Sequence, residues 1–92
     1  MTTTTPGADT SRRAEDVLRN RLQATYVEVI DESAAHAGHT GAGPHPYGTH
    51  LRVRIATPLF THQSRVAQHR LVYDALRDFI AGGVHAIAIE TL

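Results

Sequence analysis

The chain has 92 residues, 9 basic and 9 acidic side chains, zero formal net charge and no cysteine. That length supports one domain with one modest core. The charge balance argues against a protein whose affinity comes mainly from neutralising many phosphates, while leaving room for a local basic patch, and the missing thiols exclude a disulfide framework or any thiolate ligand from this chain.

Residues 1–10 are polar and carry Pro6 and Gly7, so they read as a disordered tail ahead of a single domain over residues 11–92. No apolar run approaches the ~20 residues of a membrane span. The N-terminus has no signal-peptide core, so a cytoplasmic protein is expected. A first helix is expected over Thr10–Ala24, capped by Thr10 or Ser11, with Ala14, Val17, Leu18 and Leu22 as its apolar stripe. Tyr26–Asp31 is rich in β-formers and reads as a strand, with Val27 and Val29 on one face.

Glu32–His50 then carries His36, His39, His45 and His50 among glycines and prolines that deny it regular structure. A loop of that length in a small domain is either functional or disordered. Thr49–Ala56 alternates, with Leu51, Val53 and Ile55 facing a core and His50, Arg52 and Arg54 facing away. Thr57–Ser64 is a turn in which Leu59 and Phe60 are expected to plug the core. Ser64 caps a second helix from Arg65 to about Ala81, ended by Gly82-Gly83. Its stripe is read as Val66, Tyr73, Leu76 and Ile80, widened by His69, Val72 and Phe79. Val84–Glu90 is a third strand.

This order predicts an α/β (α+β) fold with α-β-β-α-β succession and a three-stranded mixed sheet packed against helices. The second helix returns the chain along the sheet, so the third strand runs parallel to the second. Its start then lies beside the start of the second strand, which is where the long loop joins. His85, second in the third strand, is thereby expected at the same edge as the histidine loop.

Neutral imidazole is a good ligand for zinc, iron, copper and nickel. His36 and His39, three apart, can share a metal, and His85 can add a third ligand. A closed four-ligand zinc site usually uses cysteine, which is absent. No nucleophile elbow, phosphate-binding glycine loop or suggestive carboxylate pair is present, so no enzyme activity is expected. Arg52, Arg54, Arg65 and Arg70 are the candidate nucleic-acid contacts, although few aromatics accompany them for stacking.

The segments VEVIDESAAH, THLRVRIA, the phenylalanine of PLF, RVAQHRLVYDAL and GGVHAIAIET, in that order and spacing, resemble the BolA family over nearly the whole chain after Ser11. The resemblance implies a fold similar to the class II KH fold and a role as partner of monothiol glutaredoxins. Together such pairs hold a bridging [2Fe–2S] cluster in iron–sulfur trafficking or iron regulation. It implies that glutaredoxin and glutathione supply thiolates. The BolA-like chain would supply the histidine of VHA, here His85, and the histidine of E-S-x-x-H, here His36, with His39 as the alternate. It implies no cluster in the isolated protein. Some members are DNA-binding transcriptional regulators, and a homodimer is a further partner to consider. Two departures bear on DNA binding. The usual F-x-G is Phe60-Thr61-His62, and the usual R-H-R is Gln68-His69-Arg70.

Overall fold

The computed structural model describes residues 6–32, 50–84 and 86–92. The described chain runs α1 (Pro6–Leu22), β1 (Tyr26–Asp31), β2 (His50–Ala56), a single 3₁₀ turn (Pro58–Phe60), α2 (Arg65–Ala75), α3 (Arg77–Ala81) and β3 (Ala86–Thr91). The strands form one mixed sheet in the order β1-β2-β3, with β1 antiparallel and β3 parallel to β2. The α+β fold expected from the element order is therefore the one found, and the 3₁₀ turn does not redirect the chain.

The helices cover one face of the sheet. Leu51, Val53 and Ile55 alternate inward from β2 and meet Val27 and Val29 of β1 and Ile87 of β3. Ala14, Leu18 and Leu22 of α1, together with Phe60, Val72, Leu76 and Val84, complete the buried cluster. Those of lowest exposure, such as Leu18, Val53, Ile55, Val72 and Leu76, are wholly removed from water. At ~25 cal/mol per Å² of apolar surface, this layer supplies most of the drive to fold.

α1 begins at Pro6, so residues 6–10, expected as tail, belong to the helix. Proline costs no helical bond there, because first-turn amides have no intrahelical acceptor. Asp9 adds ion pairs to Arg12 and Arg13, three and four residues on. The helix stops at Leu22 rather than Ala24 because Gln23 turns left-handed, with φ 54°. Thr57 secures this end: its buried hydroxyl donates to the Leu22 carbonyl at 2.5 Å and accepts from the Leu59 amide at 3.1 Å.

The second predicted helix is two, broken at Leu76 (φ −100°, ψ 18°). Ser64 caps it as expected, accepting from the Ala67 amide. The Leu76 amide closes α2 on the Val72 carbonyl and the Ile80 amide opens α3 on the Leu76 carbonyl, while the Phe79 amide reaches only three residues back, to Leu76. The buried stripe is centred elsewhere than predicted. Val72 and Leu76 are buried with Leu71, Ala75 and Phe79 against them, whereas Val66, Tyr73 and Ile80 are exposed. Leu59 is likewise exposed and only Phe60 plugs the core. Both errors come from apolar residues that the sequence cannot apportion between core and surface.

α3 ends in a Schellman cap. The Val84 amide donates to the Phe79 carbonyl, the Gly83 amide to that of Ile80, and Gly83 takes φ 127°. Because the Val84 amide is used by this cap, Val84 lies outside the described strand Ala86–Thr91.

Candidate functional site

The sheet register decides what shares an edge. His50 is level with Ala86, so β2 and β3 start together. Across β1, the Glu32 amide donates to the His50 carbonyl at 2.8 Å. The Glu32 carboxylate in turn accepts from Arg52 Nε at 3.0 Å. Residues 33–49 thus depart and return between two positions clasped to each other, and β3 enters beside them. The starts of β2 and β3 are therefore side by side, as the element order predicts, while His85 and residues 33–49 lie outside the described residues.

His36, His39 and His85, the candidate ligands, lie outside the described residues. Among the described residues, no group of three histidine, aspartate or glutamate side chains is placed to hold a metal. His50, first in β2, is half-buried at this edge. His69, on α2, is half-buried beside Val66, Arg70 and Tyr73.

Tyr73 is the neighbour of this edge that sequence reasoning assigned to the core stripe. Its hydroxyl donates to the Ile87 carbonyl at 3.2 Å. β3 is an edge strand, and such carbonyls otherwise face solvent, so α2 ties down β3 one residue past its start. Hydroxyl direction is not encoded in hydropathy spacing, which is why a pattern search passes over it.

The four candidate nucleic-acid arginines divide between two surfaces. Arg52 and Arg54 alternate onto the sheet face away from the helices, while Arg65 and Arg70 ride on α2, which packs on the opposite face. Arg54 pairs with Glu28 at 3.4 Å and Glu90 at 3.2 Å. The hydrogen bond from Arg52 to Glu32, with the charges of Glu32 and Glu90, raises the Arg52 pKa above its already high ordinary value. A raised pKa contributes stability that is lost only as pH climbs beyond the usual arginine range, so this pair is insensitive to pH near neutrality.

His62 stands where the resemblance expects glycine, and it occupies φ 64°. The turn before α2 demands a left-handed residue, which glycine adopts freely and histidine adopts at a cost. Gln68 serves the same turn, donating from Nε2 to the carbonyls of Phe60 and Gln63 at 3.2 Å each.

The family model described as "BolA-like protein" matches residues 18–92. The chain belongs to this family. It is 42% identical over 79 residues to the "Uncharacterized protein in cobS 5′ region" of Sinorhizobium sp, covering 83% of this chain and 85% of that one. It is 32% identical to the "DNA-binding transcriptional regulator BolA" of Escherichia coli, covering 86% and 70%. The structure resembles the solved BolA domain of SufE1 from Arabidopsis thaliana with a TM-score of 0.77 at 33% identity, covering 98% of this chain and 93% of that domain. The whole SufE-like protein 1 is far longer, and this chain spans 22% of it. Among the described residues of this BolA-like domain, no helix is long and apolar enough to cross a membrane.

Proposed function

We propose that the chain is a non-enzymatic partner of a monothiol glutaredoxin and that the two co-ligate a bridging [2Fe–2S] cluster. Its role is then iron–sulfur trafficking or iron regulation in the cytoplasm. The observation that carries this reading is the common start of β2 and β3, where the Glu32–His50 clasp sits beside Ala86. The segments bearing His36, His39 and His85 join the described sheet at that one end.

The donor chemistry agrees. With seven histidines and no cysteine, the chain can offer imidazole nitrogen but no thiolate, so sulfur ligands must come from glutaredoxin and glutathione. His85 and His36 are the assigned ligands and His39 is the alternate. Histidine on one iron raises a cluster's potential relative to all-thiolate ligation. The chain's contribution is to hold β3 in place through Tyr73 and the loop ends through Glu32.

Mixing the protein with a monothiol glutaredoxin, glutathione, iron and sulfide is expected to give a coloured complex with a cluster spectrum. His85→Ala is expected to abolish or destabilise it; an unchanged spectrum and lifetime would make the ligand assignment wrong. Ligating imidazole must be neutral, so the cluster is expected to be lost below roughly pH 6–6.5. A simple zinc module would instead retain metal in the isolated protein, which elemental analysis reads directly.

A second reading, a DNA-binding transcriptional regulator, draws on the name of the Escherichia coli relative and on Arg65 and Arg70, which have no ion pair among the described residues. Arg52 and Arg54 argue against it, because their charge is neutralised by Glu28, Glu32 and Glu90. Affinity for duplex DNA that falls steeply with salt and weakens on Arg65 or Arg70 substitution is its signature.

A further inference from the structure

Each edge of the three-stranded sheet is met by one polar side chain from a helix. On β1 the Glu32 amide turns inward to the His50 carbonyl, and backbone groups alternate along a strand, so Val27, Val29 and Asp31 face outward. The middle one is taken: the Val29 amide donates to Glu15 Oε2 of α1 at 2.9 Å. On β3 the Leu92 amide turns inward to the Ile55 carbonyl, so Ile87, Ile89 and Thr91 face outward. There the Ile87 carbonyl accepts from the Tyr73 hydroxyl of α2 at 3.2 Å. Polarity is matched at both edges. A carboxylate, which accepts, sits on an amide, and a phenol, which donates, sits on a carbonyl.

An open edge is a template for another strand, and the strand always at hand is that of a second copy. In a two-fold antiparallel pair the outward residues face one another. On β3, the fullest such pairing sets Ile89 opposite its own copy, Ile87 opposite Thr91 and Ala88 opposite Glu90. It uses the Ile87 carbonyl, where the Tyr73 hydroxyl sits. The register that avoids Ile87 and still pairs two outward residues sets Ile89 opposite Thr91, and then Glu90 stands opposite Glu90. The row Glu28–Arg54–Glu90 holds two carboxylates to one guanidinium, so the copies would meet there with like charge. On β1, every two-fold register that pairs two of the outward residues uses Val29. An incoming carbonyl would find that amide bonded and would face the Glu15 carboxylate.

We infer that Glu15 and Tyr73 are edge locks, each barring one side of the sheet from pairing with a second copy of this chain. Both side chains come from helices packed on the covered face, so the locks close only when the layers meet. They act whether or not the chain ligates a cluster.

Sedimentation velocity of the full chain over a wide concentration range, with amide exchange read by NMR, tests the locks. The wild-type chain is expected to sediment as a monomer. Glu15→Ala is expected to speed exchange of the Val29 amide by about tenfold, the equivalent of one hydrogen bond. Glu15→Ala and Tyr73→Ala, the latter at a position 42% exposed, are each expected to tighten self-association by about tenfold. In mixed-label samples, contacts between copies are expected along β1 for the first and along β3 for the second. Glu15→Gln keeps an acceptor for the Val29 amide and is expected to stay monomeric. Thr57→Val, which removes buried hydrogen bonds away from both edges, controls for lost stability. The assignment is overturned if the wild-type chain already pairs through β1 or β3, or if Glu15→Ala and Tyr73→Ala stay monomeric. It also falls if Glu15→Gln associates as readily as Glu15→Ala, or if Thr57→Val associates as strongly as the edge variants.

Discussion

The two broad surfaces of this domain use arginine in opposite ways. On the open face of the sheet, Arg54 sits between Glu28 and Glu90 and Arg52 is bonded to Glu32, so strand register brings cation and carboxylate together in cross-strand rows. On the α2–α3 face, where Val66, Tyr73 and Ile80 are exposed, Arg70 and Arg77 have no such pairing among the described residues. The first surface is electrostatically finished within the chain. On the second, Arg70 and Arg77 share the surface with Asp74 and Asp78, yet no ion pair forms there among the described residues.

The comparison can be broken most forcefully at Leu76, wholly buried at the break between the two helical pieces. Leu76→Ala is expected to lower the unfolding free energy by about 2–5 kcal/mol, measured by chemical denaturation. Thr57, the seam between α1 and the turn, comes next. Thr57→Val removes the donor to the Leu22 carbonyl and the acceptor for the Leu59 amide, at an expected cost of about 1–3 kcal/mol. A cost near zero would mean that water replaces both bonds.

His62→Gly is expected to stabilise the protein by roughly 1 kcal/mol, since the φ of 64° no longer burdens a side chain. A melting temperature about 4–8 °C higher is the readout. The smallest effects sharpen the contrast between the two faces. Arg54→Ala is expected to cost about 0.2–1 kcal/mol, and less in high salt. Arg70→Ala is expected to stay within about 0.5 kcal/mol of wild type in stability. Equal stability losses for the two would erase the distinction.

Much of the fold was legible in the sequence because its signals were local. The alternation of Leu51, Val53 and Ile55, the cap at Ser64 and the stop at Gly82-Gly83 each report on a few neighbouring residues, and each was found where expected. The misreadings occurred where local signals compete. Pro6 and Gly7 look like breakers but open a helix. Val66, Tyr73 and Ile80 look like a core stripe but lie outside it. Leu59 looks like a plug but faces water. Of the candidate site, the shared edge followed from element order, whereas the link from Tyr73 to Ile87 joins residues whose proximity no periodicity announces.

Sequence alone determined the element types, the mixed sheet and the family, because hydropathy period, capping chemistry and ordered motifs are written along the chain. It also determined that any thiolate ligand must come from elsewhere, since no cysteine is present. Only the tertiary structure decided the residue-by-residue register of β2 and β3, which of two apolar stripes α2 buries, and which arginines find carboxylates. Those outcomes depend on register and packing between segments distant in sequence, and the energy that selects among them exists only once the layers have met.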